Sequence, residues 1–114
     1  MPSATAITLY MFGASAVYQG ASILLAPRRA LAAKQLPESA IPSLNAFSVA
    51  IAGLGFHYVF AAYQENRTLF YFSLLRLPAA AIFASQGPGW RPMAAWEAFS
   101  TCLTAVALVW DARG

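Results

Sequence analysis

The chain has 114 residues, of which 60% are hydrophobic and 10% charged, with a formal net charge of +3. A soluble domain carries roughly 25% charged residues, so a fold of this size could not hide so much apolar surface from water, and the class expected is integral membrane. The seven Lys and Arg side chains form no cluster of the kind that grips nucleic acid or a polybasic lipid patch.

Four apolar segments approach the roughly 20 residues that a bilayer-spanning helix needs: residues 4–26, 44–63, 68–86 and 93–110. Short links between them predict an all-α fold, a single integral membrane antiparallel four-helix bundle occupying residues 1–114. The first segment lacks a basic leader and a small-x-small cleavage site before Pro27, so it is read as a retained span rather than a signal peptide.

The linkers are read in turn. Residues 27–43 form a connection with three prolines and Arg28, Arg29, Lys34 and Glu38; "QENR" at 64–67 is a turn; "GPGWRP" at 87–92 is a Gly/Pro break with an interfacial Trp90. The first and third connections share one side and carry four Lys/Arg against two (Arg67, Arg113) on the other, which puts them in the cytosol. "NRT" at 66–68 matches an N-glycosylation sequon but sits at the membrane boundary, where it reads as a chance match. Cys102, alone in the sequence, excludes an internal disulfide and reads as small packing.

Polar groups in hydrocarbon turn toward the bundle interior, because lipid offers them no partner. The first span carries Thr8, Ser15, Gln19 and Ser22 on one face, with Ala16 and Gly20 as a small-xxx-small pair. The second carries Ala46, Ala50, Gly53 and His57, the third Ser73 and Arg76, and the fourth Ala94, Glu97, Thr101, Thr104, Leu108 and Asp111. At a rise of about 1.5 Å per residue, Arg76 lies roughly 12 Å and His57 roughly 9 Å from the 64–67 turn, Thr101 is near that level, and Tyr18 and Gln19 are level with Glu97. An Arg76–Glu97 ion pair is therefore expected. Pro78 should break the helical ladder beside Arg76.

Neither a metal-ligand spacing nor a nucleotide fingerprint is present; the G-x-G of "GLGFHY" stands on an apolar helix without a third glycine. Internal repeats, which mark many transporters, are also missing. What remains is acid–base chemistry in an apolar pocket, without metal or organic cofactor, on a lipophilic small molecule that arrives from the bilayer. In that reading Glu97 is general acid/base, Arg76 orients it or holds an oxyanion, and His57 is a further donor or acceptor. Tyr18, Gln19, Thr101, Tyr58 and Phe72 would line the substrate site. A second reading, from a different class, is a non-catalytic accessory or scaffold subunit whose buried ion pair fixes helix register. A second copy of the chain is a candidate partner in either case, and the address is a multi-pass membrane, the endoplasmic reticulum if the source is eukaryotic.

"GASAVYQGASILLAP" (13–27) and "LLRLPAAAIFASQGPGWRPMAAWEAF" (74–99) resemble the small four-helix membrane proteins of unknown function found in fungi and bacteria. The resemblance implies membrane-bound epoxide hydrolases or cyclases of natural-product pathways, acting on polyketide or terpenoid intermediates by epoxide opening, cyclisation or isomerisation. Glu97, Arg76 and His57 are where that chemistry would map.

Overall fold

A computed structural model describes residues 1–113. Its elements are α1 (Ala4–Leu25), α2 (Pro27–Lys34), α3 (Ile41–Tyr63), α4 (Arg67–Phe72), α5 (Arg76–Ser85) and α6 (Arg91–Arg113), with 3₁₀ turns at Glu38–Ala40, Ser73–Leu75 and Pro88–Trp90. No strand occurs among the described residues. Four continuous helical stretches, Ala4–Leu25, Glu38–Tyr63, Arg67–Ser85 and Pro88–Arg113, are long and apolar enough to cross a membrane. They overlie the four expected segments, but the second and fourth run past the apolar stretch. Hydropathy marks the length that suits lipid, whereas backbone hydrogen bonding carries a helix on into its polar flanks.

The 27–43 connection is not a plain loop. Pro27 stands at the start of α2, where its missing N–H has no partner to lose. The helix ends at Gln35 in the left-handed conformation (φ 58°), and the Leu36 N–H turns back to the Leu31 carbonyl at 2.9 Å. Leu31 is buried with Ile23 and Leu44, so α2 lies across the ends of α1 and α3. The 87–92 connection docks on it: a Cβ on Gly89 would stand 2.5 Å from the Lys34 Cα, so only glycine fits there. Trp90 stacks on Phe83 (centroids 5.7 Å apart), and the Lys34 amine lies 5.1 Å from the Trp90 ring. Burial pushes the Lys34 amine below its ordinary range.

The closest helix pair is α1 against α3. Gly13 and Gly55 face each other: a Cβ on Gly13 would meet the Gly55 carbonyl oxygen at 2.6 Å, and one on Gly55 would meet the Gly13 oxygen at 2.5 Å. Gly20 repeats the contact against the Ser48 carbonyl, also at 2.5 Å. The small pair Ala16 and Gly20 thus lies in the interface, as the first span's pattern suggested.

The α3 stripe requires correction. Its buried face is Leu44, Ser48, Ile51, Gly55, Ala61 and Ala62, while Ala46, Ala50 and His57 are exposed and nothing lies near a Cβ built on Gly53. When every face of a helix is apolar, a row of small residues does not mark the inner one; the close backbone approach at Gly55 does.

The N-terminus of α1 is held by three side chains. Ser3 Oγ accepts from the Ala6 N–H (3.0 Å), Glu65 accepts from the Ser3 N–H (3.1 Å), and the Asp111 carboxylate accepts from the Ala4 and Thr5 N–H groups and from the Thr5 hydroxyl (3.2, 2.9 and 2.6 Å). A carboxylate at a helix N-terminus satisfies free donors and complements the helix dipole. Asp111→Ala is expected to cost about 2 kcal/mol, read as a lower midpoint in detergent unfolding. By contrast, the exposed Arg28–Glu38 bridge (2.8 Å) contributes at most about 1 kcal/mol.

Candidate functional site

The site begins where the third long helix changes pitch. Pro78 has no N–H to offer Leu74, and the ladder tightens into the 3₁₀ turn Ser73–Leu75 just before it. Both the backbone N–H of Arg76 and its Nε reach the Ser73 carbonyl, the Nε at 2.8 Å. The break therefore anchors the arginine by its own preceding turn: its backbone N–H reaches the Leu74 and Ser73 carbonyls, and its Nε adds a second bond to Ser73.

Arg76 is 4% exposed. Its Nη1 donates to Ser100 Oγ (3.2 Å) and its Nη2 to Thr104 Oγ1 (2.8 Å), both on α6. The guanidinium lies 4.1 Å from the Phe12 ring centroid and 5.6 Å from that of Tyr58; Phe12 and Tyr58 are themselves edge-on at 5.3 Å. Hydrogen bonds to a charged group contribute about 1.5–3 kcal/mol each and a desolvated cation–π contact about 2 kcal/mol. Together these offset the cost of burying the charge.

Glu97 sits one turn before Ser100 on the same face of α6 and is 6% exposed. Its carbonyl accepts from the Thr101 hydroxyl (2.6 Å) and the Ser100 hydroxyl (3.3 Å). Its carboxyl does not pair with Arg76, contrary to the expected ion pair; the guanidinium is bonded to Ser73, Ser100 and Thr104. Glu97 Oε2 is buried without any hydrogen-bond partner. Tyr58 of α3 faces the same guanidinium, its ring centroid 5.6 Å away. A guanidinium has five N–H bonds, of which three are engaged, so Arg76 keeps spare donors and Glu97 Oε2 is a spare acceptor.

The arginine is tied to the first turns of α1 through hydroxyls. Thr104 Oγ1 is 3.0 Å from Thr8 Oγ1, and the Thr8 hydroxyl donates to the Thr5 carbonyl (2.7 Å). Thr5 is in turn held by Asp111. This column links α1, α5 and α6 at one register.

Of the residues singled out from the sequence, Arg76, Glu97, Thr101 and Tyr58 are brought together. His57 is not: it is exposed on α3, and its Nδ1 lies 2.7 Å from the Gly53 carbonyl of its own helix. Tyr18 (75% exposed) and Phe72 (61%) point outward. Gln19 lies with Tyr18 in a shallow cleft between α1 and α2, next to Arg29 and Lys34 and away from the arginine. Helical spacing places these side chains at the right depth but does not say which way they face. Ser100 and Phe12, which hold the guanidinium, were missed; Ser100 stands at i+3 from Glu97, a signal that was present, whereas an aromatic in an apolar helix carries none.

No family model matches the chain, and neither the curated proteins nor the solved structures contain a significant match.

Proposed function

We propose that the four long helices cross the bilayer as an antiparallel bundle, and that Glu97, Arg76 and Tyr58 form a site for acid–base chemistry on a lipophilic small molecule. The reaction is the opening of an epoxide by water, or by a hydroxyl of the same molecule to close a ring. What carries the reading is Glu97 Oε2, an acceptor buried without a hydrogen-bond partner, one turn along α6 from the Ser100 hydroxyl that receives the Arg76 guanidinium. A polyketide or terpenoid epoxide suits the apolar surroundings, and the resemblance noted in the sequence points to the same substrates.

In the hydrolytic version Glu97 accepts a proton from water as the water oxygen attacks a ring carbon. The carbon–oxygen bond breaks with its electron pair going to the ring oxygen, which receives hydrogen bonds from Arg76 and Tyr58. The proton on Glu97 then returns to that oxygen, so that water has added across the bond and the site is restored. The scaffold reading rests on an Arg76–Glu97 ion pair, whereas the partners of the guanidinium are Ser73, Ser100 and Thr104.

Arg76→Lys tests the assignment. A lysine keeps the charge but cannot reach two hydroxyls with a planar fork, and turnover of a lipophilic epoxide, followed by mass spectrometry of the diol, is expected to fall about 100-fold. The protein should remain in the membrane pellet after alkaline carbonate extraction. Turnover that survives both Arg76→Lys and Arg76→Met removes the arginine from the chemistry.

A further inference from the structure

Tyr18 and Gln19, which stand apart from the arginine cluster, line a cleft of about 290 Å³ where α1 meets α2. Ser22 of α1 and Arg29 and Lys34 of α2 line it with them. Arg29 is exposed and Lys34 half-buried. Lys34 is also held in place: Gly89 packs against its Cα, and its amine lies 5.1 Å from the Trp90 ring.

Neither cation has a carboxylate partner. The chain has four acidic side chains. Glu38 is bonded to Arg28, Glu65 and Asp111 hold the opposite end of α1, and Glu97 is buried on α6. Among the described residues Arg28–Glu38 is the one ion pair. Two positive side chains around one cleft, with no counter-charge from the protein, favour an anion there.

The lining changes in order along α1. Measured from Ala26 at the end of α1, Ser22 lies about 6 Å, Gln19 about 10 Å and Tyr18 about 12 Å along the helix by its rise. The Ser22 hydroxyl donates to the Gln19 backbone carbonyl (3.1 Å), and the Gln19 side-chain amide makes no hydrogen bond within the described residues. Tyr18 is 75% exposed. Cations outermost, then a free amide, then an exposed aromatic ring match the order of phosphate, glycerol ester and acyl chain in a phospholipid.

We infer that this cleft binds one anionic phospholipid, its phosphate met by Arg29 and Lys34 and an ester carbonyl by the Gln19 amide. The inference rests on the bilayer reading above and not on the acid–base chemistry. The excess of Lys and Arg at this end faces the cytoplasm, whose leaflet carries the anionic lipids.

Native mass spectrometry of the full-length protein, titrated in detergent with phosphatidylglycerol or phosphatidylcholine, reads the affinity for each lipid. The first phosphatidylglycerol should bind about tenfold tighter than the first phosphatidylcholine. Arg29→Gln and Lys34→Gln should each weaken it about fivefold, whereas Lys34→Arg, which keeps the charge and can still lie over Trp90, should retain it. Arg28→Gln and Arg91→Gln remove equal charge from the same end outside the cleft and should leave the affinity unchanged. Equal affinity for the two lipids overturns the proposal. So does an equal loss in all four glutamine variants, which assigns the preference to the overall charge of that end. Glycerol 3-phosphate that displaces the lipid at equal concentration overturns the lipid and gives the cleft to a soluble phosphate. A protein that stays in the carbonate-washed membrane pellet but shows no preference overturns this inference alone. One that leaves the membrane overturns the bilayer reading as well.

Discussion

Glu97→Gln is expected to lower turnover of a lipophilic epoxide by about 10²–10⁴-fold, the range that a positioned acid or base contributes, and to do so without unfolding the protein. The two side chains have the same shape, and Glu97 Oε2 gives up no hydrogen bond because it makes none. The bonds that tie this part of α6 together run from Ser100 and Thr101 to the Glu97 backbone carbonyl, which the substitution leaves alone. Arg76 keeps Ser73, Ser100 and Thr104. A neutral amide is also cheaper to bury than a carboxylate, so resistance to unfolding should be unchanged or slightly higher. The loss should fall on kcat, because the proton transfer belongs to the transition state rather than to binding. Glu97→Asp, which keeps the carboxyl but withdraws it by one methylene, should recover part of the rate. An amide variant that folds and still turns over removes Glu97 from the chemistry. One that loses fold and activity together assigns it to the architecture.

The readability of this chain follows from which physical signals are local. Bilayer-length apolar runs are fixed by composition, so the four long helices could be marked, while their polar ends at Arg91 and at Asp111–Arg113 could not. Helix α2 and the first turn of α3 fell inside the 27–43 connection; Pro27 and Pro42 there stand in the first turns of α2 and α3, where proline is at home. Arg76, Glu97, Thr101 and Thr104 were legible because polar groups at spacings of three and four on an apolar helix must find partners inside. His57 misled because a ring nitrogen can be satisfied by the carbonyl four residues earlier, a bond that leaves no trace in sequence. The Arg76–Glu97 pair misled because charge alone was counted, and the serine and threonine hydroxyls one and two turns beyond Glu97 proved nearer.

The hydroxyl column also explains how a break in one helix is held in place by two others. Arg76 bonds α6 through Ser100 and Thr104, Thr104 meets Thr8 of α1, and Asp111 at the end of α6 grips the first turn of α1. The position of α1 therefore bears directly on the arginine, through both Thr8 and the ring of Phe12. What sets that position is the contact between α1 and α3.

Gly55→Leu is accordingly expected to destabilise the protein strongly, by about 3 kcal/mol or more. A Cβ at this position would stand 2.5 Å from the Gly13 carbonyl oxygen and 2.9 Å from the Val17 nitrogen, both main-chain atoms. No change of rotamer relieves such a clash, so the helices must separate along the whole contact that Gly13, Gly20 and Gly55 permit. In the proposed bilayer setting, where no hydrophobic gradient drives helices together, close packing of this kind is what holds them. Gly53→Leu, two residues away on the same helix, is the control: nothing lies within 4 Å of its Cβ, and removing a mid-helix glycine should be neutral or slightly stabilising. Unfolding in mixed detergent should separate the two variants clearly, and equal midpoints would show that the α1–α3 approach is not what holds the helices together. The site should feel the difference as well. Tyr58 is three residues beyond Gly55 on α3 and touches Phe12 across the interface, so separation of the helices withdraws the aromatic pair from the guanidinium. Turnover should fall in Gly55→Leu although no group of the Arg76–Glu97 cluster has been altered.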